Sequence, residues 1–152
     1  MRLLFVCMGN ICRSPIAKGV FDHYLREAGL EFVSESAGTH AYHVGESPDE
    51  RAVRLALARG FDIRSDRARQ VAKADFERFD RILAMDRATR ERLERLRPPN
   101  ARARVQLVME LAPHYGIGEV PDPYYGGEEG FRQVLDMLES AAGNLVRELR
   151  GR

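Results

Sequence analysis

The sequence predicts an α/β fold in which helices cover both faces of a parallel β-sheet. Short apolar runs alternate with longer amphipathic segments along the chain, which is typical of strand–helix–strand units with right-handed crossovers. The first run, residues 3–6, is apolar at every position, as expected of a strand that is buried on both faces. A chain of 152 residues can bury about 68–70% of its unfolded surface, so we expect one domain over residues 1–152.

The first strand leads through a loop, residues 7–15, into the first helix. Pro15 suits the first turn of that helix, because its missing N–H would have no partner there. Gly29 marks the end of the helix, and residues 32–36 alternate in the manner of a second strand.

The second helix has a complete set of start signals. Ser47 is the predicted N-cap, Pro48 the first helical residue, and Glu50 the partner that closes a capping box. Gly60 ends this helix, and a short helix is expected over residues 74–78.

The second half of the chain repeats the alternation. Residues 81–85 form the third strand, and Asp86 is the predicted N-cap of a helix over residues 87–97. Residues 105–108 form the fourth strand, and residues 128–150 carry apolar side chains at helical spacing. Four strands are therefore expected in the sheet.

The composition argues against several kinds of partner. The formal net charge is +1, which creates no general attraction for nucleic acid or a membrane surface. The arginines of residues 87–97 alternate with glutamates and indicate a solvated, ion-paired face. No apolar run could span a bilayer, and no signal-peptide pattern precedes the first strand. We therefore expect neither a nucleic-acid nor a membrane partner.

Residues 7–15 favour the binding of an anion. The N-terminus of a helix carries unpaired N–H groups and the positive end of the helix dipole. Five residues separate Cys7 from Arg13, so both side chains can face one bound oxyanion, and Gly9 permits the turn that aims backbone N–H groups inward.

The residue types in this loop match a covalent reaction at phosphorus. The positive field would stabilise a thiolate at Cys7, and Ser14 could add a hydrogen bond to the sulfur. The guanidinium of Arg13 offers two parallel donors to phosphoryl oxygens. Taken alone, Cys7 could be a small buried residue of the core and Arg13 a solvated surface residue. Taken together, the two residues indicate a phosphate-binding loop with a cysteine nucleophile.

The loop resembles the active-site loop of the low-molecular-weight protein tyrosine phosphatases. The similarity continues, in the family's order and approximate spacing, at Ser36-Ala37-Gly38-Thr39, Tyr42-His43-Val44-Gly45, Ala68-Arg69-Gln70, Ala84-Met85-Asp86 and Asp122-Pro123-Tyr124-Tyr125-Gly126. The resemblance implies a single-domain three-layer sandwich with a four-stranded parallel sheet, flavodoxin-like and of the phosphotyrosine protein phosphatase I type. It also implies hydrolysis of phosphotyrosine and aryl phosphates without a metal or other cofactor.

The resemblance assigns the catalytic roles to three residues. Cys7 is the nucleophile that forms a phosphocysteine intermediate, and Arg13 binds the phosphoryl group. Asp122, which by its pattern alone could be a turn residue, acts as general acid and then as general base. Loop residues expected to hold the phosphate are Met8, Gly9, Asn10, Ile11, Cys12 and Ser14.

Further roles follow from the same resemblance. Tyr42, Tyr124 and Tyr125 are expected to line the pocket beside the substrate ring. Asn10, Ser14 and Ser36 are expected to support the loop through hydrogen bonds. The family often has a supporting histidine just before Ala68, where this chain has Asp66 and Arg67.

The two cysteines of the chain lie in one loop, which bears on redox chemistry and location. A reversible disulfide between Cys7 and Cys12 could protect the nucleophile from overoxidation by peroxide. A nucleophilic thiolate needs a reducing compartment, so a cytoplasmic location is expected. His40 and His43, without a paired acid or thiol ligand, make a poor metal site.

Three alternative functions remain for a chain with this loop. An arsenate reductase of this fold relays a disulfide through cysteines elsewhere in the chain, and this sequence has none. A protein-arginine phosphatase has a threonine at the loop position of Ile11, so Ile11 and the Tyr124-Tyr125 pair favour phosphotyrosine. A non-catalytic phosphopeptide-binding module would have no reason to retain Asp122.

The expected partner is a phosphotyrosine-containing protein, with inorganic phosphate as the product. For a bacterial source, the habits of the family indicate a tyrosine kinase or a polysaccharide-export regulator as the substrate.

Overall fold

Four parallel strands form the central sheet of the computed structural model, which describes residues 1–124 and 126–151. Their order across the sheet is β2-β1-β3-β4. The strands are β1 (Arg2–Cys7), β2 (Val33–Gly38), β3 (Arg81–Ala84) and β4 (Arg104–Leu107). The predicted α/β fold with a four-stranded parallel sheet is confirmed.

Helices lie on both faces of this sheet. They are α1 (Arg13–Glu27), α2 (Glu50–Ala58), α3 (Asp75–Arg78), α4 (Arg87–Leu96) and α5 (Glu128–Arg150). Two short 3₁₀ helices, Val108–Leu111 and Pro113–Tyr115, follow β4. Apolar residues of α1, α2 and α5 share one core cluster, while those of α3 and α4 belong to the other.

The central strand β1 supplies side chains to both core clusters. Leu3 and Phe5 pack toward α1 and α5, whereas Leu4 and Val6 pack on the opposite face. All four are fully buried, because alternate side chains of a strand point to opposite faces. The continuous apolar run therefore has a layer of helices on each side, which is the three-layer arrangement.

The start of α2 differs from the prediction. The N-cap is Asp49 rather than Ser47, and the helix begins at Glu50. The Asp49 carboxylate accepts hydrogen bonds from the N–H of Arg51 at 2.8 Å and of Ala52 at 3.4 Å. The N–H of Asp49 donates to the carbonyl of Ile11 at 2.8 Å. This long-range bond fixes the chain just before the helix, and aspartate caps a helix as well as serine does.

Loops at the carboxyl edge of the sheet meet above β1 and β2. Cys7 and Gly38 are register partners at the ends of these strands. A side chain at Gly38 would bring its Cβ within 2.7 Å of the Met8 carbonyl oxygen, so glycine allows the loop after β1 to approach β2. Ligands of parallel sheets bind at this edge, beyond the ends of the strands.

Within the described part of the chain, no helix is both long and apolar enough to cross a membrane.

Candidate active site

The loop after Cys7 wraps around the sulfur of that residue. Cys7 is 3% exposed, and its Sγ accepts a hydrogen bond from the N–H of Asn10 at 3.3 Å. The hydroxyl oxygen of Ser14, in the first turn of α1, lies 3.1 Å from the same sulfur. The loop therefore places one hydrogen-bond donor and one hydroxyl group within reach of the Cys7 sulfur.

The N–H of Asn10 therefore points at sulfur, although the sequence predicted that the whole run of loop N–H groups would hold phosphate. In the part of the chain that the structure describes, six N–H groups of residues 7–15 make no hydrogen bond: those of Met8, Gly9, Ile11, Cys12, Arg13 and Ser14. Unpaired N–H groups beside a helix N-terminus form an anion-binding nest.

Asn10 holds the shape of the loop through its side chain. Its backbone has a positive φ of 59°, a left-handed conformation that costs energy for a residue other than glycine. The side-chain amide donates to the hydroxyls of Ser14 at 2.7 Å and Ser36 at 2.9 Å. Its oxygen accepts from the N–H of Arg69 at 3.0 Å. Three hydrogen bonds thus stabilise a strained turn.

Arg69 is itself fixed by a buried carboxylate. Asp75, which is 1% exposed, accepts from both terminal nitrogens of Arg69, at 3.0 and 3.1 Å. Asp66, near the position where the family often has a histidine, lies elsewhere: its Oδ1 is 3.9 Å from Nζ of Lys18. Burial raises the pKa of Asp66. A backbone N–H from residue 69, and not the side chain of residue 66, completes the contacts of Asn10.

Arg13 is held at the base of the pocket by a partner that the sequence did not reveal. Its Nη1 donates to Oδ2 of Asp86 at 2.6 Å and to the carbonyl of Val120 at 3.0 Å. Burial alone would lower the pKa of Arg13, but negative charge at Cys7 and the hydrogen bond to Asp86 raise it. The sequence had identified Asp86 only as a helix N-cap.

Asp122 faces this guanidinium from the loop before α5. Its Oδ2 lies 3.7 Å from Nη2 of Arg13, and its Oδ1 accepts from the N–H of Tyr124 at 3.0 Å. The side chain is 46% exposed. A carboxyl group at the open rim can exchange protons with both solvent and a bound molecule.

These groups line one cavity of about 410 Å³. Its buried base contains Cys7 and Arg13, and its rim carries Asp122 together with apolar and aromatic side chains from Met8, Ile11, Tyr42 and Tyr124. The ring of Tyr42 stacks on that of His40, with centroids 5.0 Å apart. Tyr125, the third expected aromatic, lies outside the described residues.

His43 also lines this cavity, and the sequence had treated it only as a weak metal ligand. Its Nδ1 lies 2.7 Å from a carboxylate oxygen of Glu46. A Cβ at Gly9 would come within 3.1 Å of the His43 ring, so glycine permits the close approach. Among the described residues, no three His, Cys, Asp or Glu side chains are grouped so that they could hold a metal ion.

Cys12 is the second cysteine of the cavity wall. It is 4% exposed. Burial, and then the nearby negative charge of Asp49, raise the pKa of its thiol. Because a thiol is less nucleophilic than a thiolate, Cys12 is a poor candidate for the attack on phosphorus.

The sequence and the fold both match known phosphatases. Residues 2–152 match the profile of the Low molecular weight phosphotyrosine protein phosphatase family. The chain belongs to this family. It is thus a member of an enzyme family.

Individual relatives cover nearly the whole chain. A low molecular weight protein-tyrosine-phosphatase from Streptomyces coelicolor is 40% identical over 98% of this chain and 93% of its own length. The crystal structure of a protein tyrosine phosphatase from Entamoeba histolytica superimposes with a TM-score of 0.94 at 39% identity, covering 99% of this chain and 97% of that one. A Drosophila arginine phosphatase shares the fold at a TM-score of 0.93 and 27% identity, covering 99% of this chain and 98% of that one.

Proposed function

We propose that residues 1–152 form one phosphatase domain that hydrolyses phosphotyrosine and aryl phosphates through a phosphocysteine intermediate. The observation that carries this proposal is the meeting of Cys7, Arg13 and Asp122 in one cavity, with unpaired N–H groups around the nucleophile. The positive charge that the phosphoryl group requires comes from Arg13 and from those N–H groups, so the reaction we propose is metal-independent.

In the first step the Cys7 thiolate attacks phosphorus, and the phosphorus–oxygen bond to the leaving group breaks. Arg13 and the unpaired N–H groups of the loop, without that of Asn10, bind the remaining phosphoryl oxygens. Asp122 donates its proton to the departing phenolate oxygen and becomes a carboxylate. The products of this step are a phenol and phosphocysteine.

In the second step Asp122 accepts a proton from a water molecule as that water attacks the phosphocysteine. The sulfur–phosphorus bond breaks, inorganic phosphate is released, and Cys7 leaves as a thiolate. The hydrogen bonds to Sγ from Asn10 and Ser14 stabilise that leaving group. Asp122 then carries the proton needed for the next cycle.

The rim of the cavity favours an aromatic substrate. Tyr42 and Tyr124 offer ring faces that a phosphotyrosine ring could stack against. Ile11 lies in the wall, where the arginine-phosphatase branch has threonine. The sequence has no cysteines beyond Cys7 and Cys12, so it lacks the disulfide relay of an arsenate reductase. Phosphotyrosine in a protein, such as a tyrosine kinase, is therefore the proposed substrate, and a reducing cytoplasm the proposed location.

The test is phosphate release from p-nitrophenyl phosphate and from a phosphotyrosine peptide, by the reduced protein with a chelator present. We expect turnover by wild type and none by Cys7→Ser, because an alcohol at this position is not ionised. A matched phosphoarginine peptide should be hydrolysed far more slowly. No turnover by wild type, or full activity of Cys7→Ser, would overturn the proposal.

A further inference from the structure

An arginine in the first turn of α2 contacts the loop that carries Asp122. Nη2 of Arg51 donates to the carbonyl of Tyr124 at 2.7 Å, and Nη1 donates to the carbonyl of Gly126 at 3.0 Å. These carbonyls lie two and four residues after Asp122. One guanidinium therefore spans the backbone that follows the proposed general acid.

The same guanidinium is held on its other side. Nε and Nη2 of Arg51 both donate to the carboxylate of Asp49, at 3.2 Å each. The ring of Phe131, a fully buried residue of α5, lies 4.8 Å from the centre of the guanidinium. Fork-shaped pairing and stacking on a buried ring fix the plane of an arginine more tightly than a single ion pair would.

Asp49 extends this connection to the phosphate-binding loop. Its N–H donates to the carbonyl of Ile11 at 2.8 Å. The pKa of Asp49 lies below its usual range, since hydrogen bonds from Arg51 and Ala52 outweigh the effect of burial. A continuous series of contacts thus runs from the nucleophile loop, through Asp49 and Arg51, to the acid loop.

Two arginines therefore hold the acid loop, one on each side of Asp122. Arg13 binds the carbonyl of Val120 ahead of it, and Arg51 binds carbonyls behind it. Arg13 also lies in the phosphate site, whereas Arg51 does not line the cavity. Arg51 can therefore be changed without removing a phosphate ligand.

We propose that Arg51 is a positioning residue that sets the place of Asp122 relative to the leaving group, by tying the acid loop to Asp49 and thereby to the phosphate-binding loop. This inference rests on the proposed function. Removing the tie would leave the nucleophile in place but misplace the proton donor. Small errors in the position of a catalytic group can cost about 10²-fold in rate.

The leaving group distinguishes this role from a purely structural one. A phenolate of low basicity, as in p-nitrophenyl phosphate, departs with little help from an acid, whereas phenolate itself needs a proton. The measurement is kcat/KM for phenyl phosphate and for p-nitrophenyl phosphate, which reports the step that forms phosphocysteine. We expect Arg51→Ala to lower the ratio of the two values about tenfold or more.

Arg59→Ala is the matched control. Arg59 caps the other end of α2 and ties it to α5 through Asp136 at 2.7 Å and Glu139 at 2.8 Å. Its loss removes a doubly paired arginine from the same helix without touching the acid loop. The leaving-group ratio of this control should equal that of wild type.

Arg51→Lys provides a variant that keeps the charge if Arg51→Ala folds poorly. A single ammonium group cannot bind Asp49 and both carbonyls in one plane, so its leaving-group ratio should lie between those of wild type and Arg51→Ala. If wild type is active and both Arg51 variants have the same leaving-group ratio as wild type, this inference is overturned and the proposed function is not. A wild type that hydrolyses neither ester would overturn the proposed function as well.

Discussion

Asp86 holds Arg13 with one carboxylate oxygen and begins α4 with the other. Its Oδ2 lies 2.6 Å from Nη1 of Arg13, and its Oδ1 accepts from the N–H of Thr89 at 2.8 Å. Burial alone would raise the pKa of Asp86, but the hydrogen bonds from Thr89 and Arg13 hold it below its usual range. The carboxylate therefore stays charged at neutral pH, where it orients the arginine of the proposed phosphate site.

Asp86→Asn should remove the negative charge beside Arg13 while keeping the N-cap of α4. Asparagine still caps the helix, but it removes the negative charge beside a buried arginine. At pH 7 we expect the free energy of unfolding to fall by about 1–3 kcal/mol, as for the loss of a hydrogen bond between charged groups.

The pH dependence of this loss follows from the direction of the pKa shift. Because the pKa of Asp86 is lower in the folded protein, its ionised form stabilises the fold at pH values above the pKa of the unfolded state, about 3.9 for aspartate. This stabilisation disappears as the pH falls through the pKa of the folded state. The difference between wild type and variant in urea unfolding should therefore shrink progressively as the pH falls below about 4. Asp62→Asn, which breaks an exposed pair with Arg64, is the control and should change stability little at pH 7. If the loss of unfolding free energy in Asp86→Asn is the same at pH 7 and below about pH 4, the charged pair of Asp86 with Arg13 is not its cause.

Asp122→Ala tests the proton donor directly. General acid catalysis is worth about 10²–10⁴-fold, so kcat/KM for phenyl phosphate should fall by about that factor. The fall should be much smaller for p-nitrophenyl phosphate, whose leaving group needs less help. Steady-state kinetics on both esters provides the measurement, and a normal rate on phenyl phosphate would exclude Asp122 from the role.

Substitutions at Asn10 should separate backbone strain from hydrogen bonding. Both Asn10→Gly and Asn10→Ala remove the three side-chain hydrogen bonds, but only glycine adopts the positive φ without cost. We expect Asn10→Ala to be less stable than Asn10→Gly by about 1 kcal/mol.

Catalysis should suffer in both Asn10 variants, because the loop would no longer be held around the sulfur. We expect kcat/KM to fall about tenfold or more in each. Thermal or urea unfolding, combined with turnover of p-nitrophenyl phosphate, makes the comparison. Equal stabilities of the two variants would show that the turn is not strained.

The two cysteines should respond differently to peroxide. We propose that Cys7 is oxidised first, to a sulfenic acid, because the N–H of Asn10 and the hydroxyl of Ser14 can stabilise a thiolate there, whereas the raised pKa of Cys12 keeps it a thiol. The Cys12 thiol then displaces water to form a disulfide. Intact-mass analysis after mild peroxide should show the loss of two hydrogens, reversed by a reducing thiol. In Cys12→Ser the same treatment should give sulfinic acid at Cys7, and sulfinic acid in wild type would contradict the proposal.

Much of the fold was predictable because its signals are local. The apolar run of β1, the amphipathic stripe of α5 and the N-cap at Asp86 each depend on neighbours within a few residues. The start of α2 was mispredicted for the opposite reason. Ser47 and Pro48 carry a good local signal, but Asp49 caps the helix instead, and its N–H makes a long-range bond to Ile11 that no local pattern reveals.

Local patterns in the sequence are enough to predict the order of strands and helices and the loop that joins Cys7 to Arg13, because backbone preference and hydrophobic periodicity act over short distances. The side chains that hold that loop and its arginine are seen only once the chain is folded. Asp86 lies 73 residues from Arg13, and Arg51 lies 73 residues from Tyr124. Such contacts depend on sheet register and helix packing, which bring together residues that no local pattern connects.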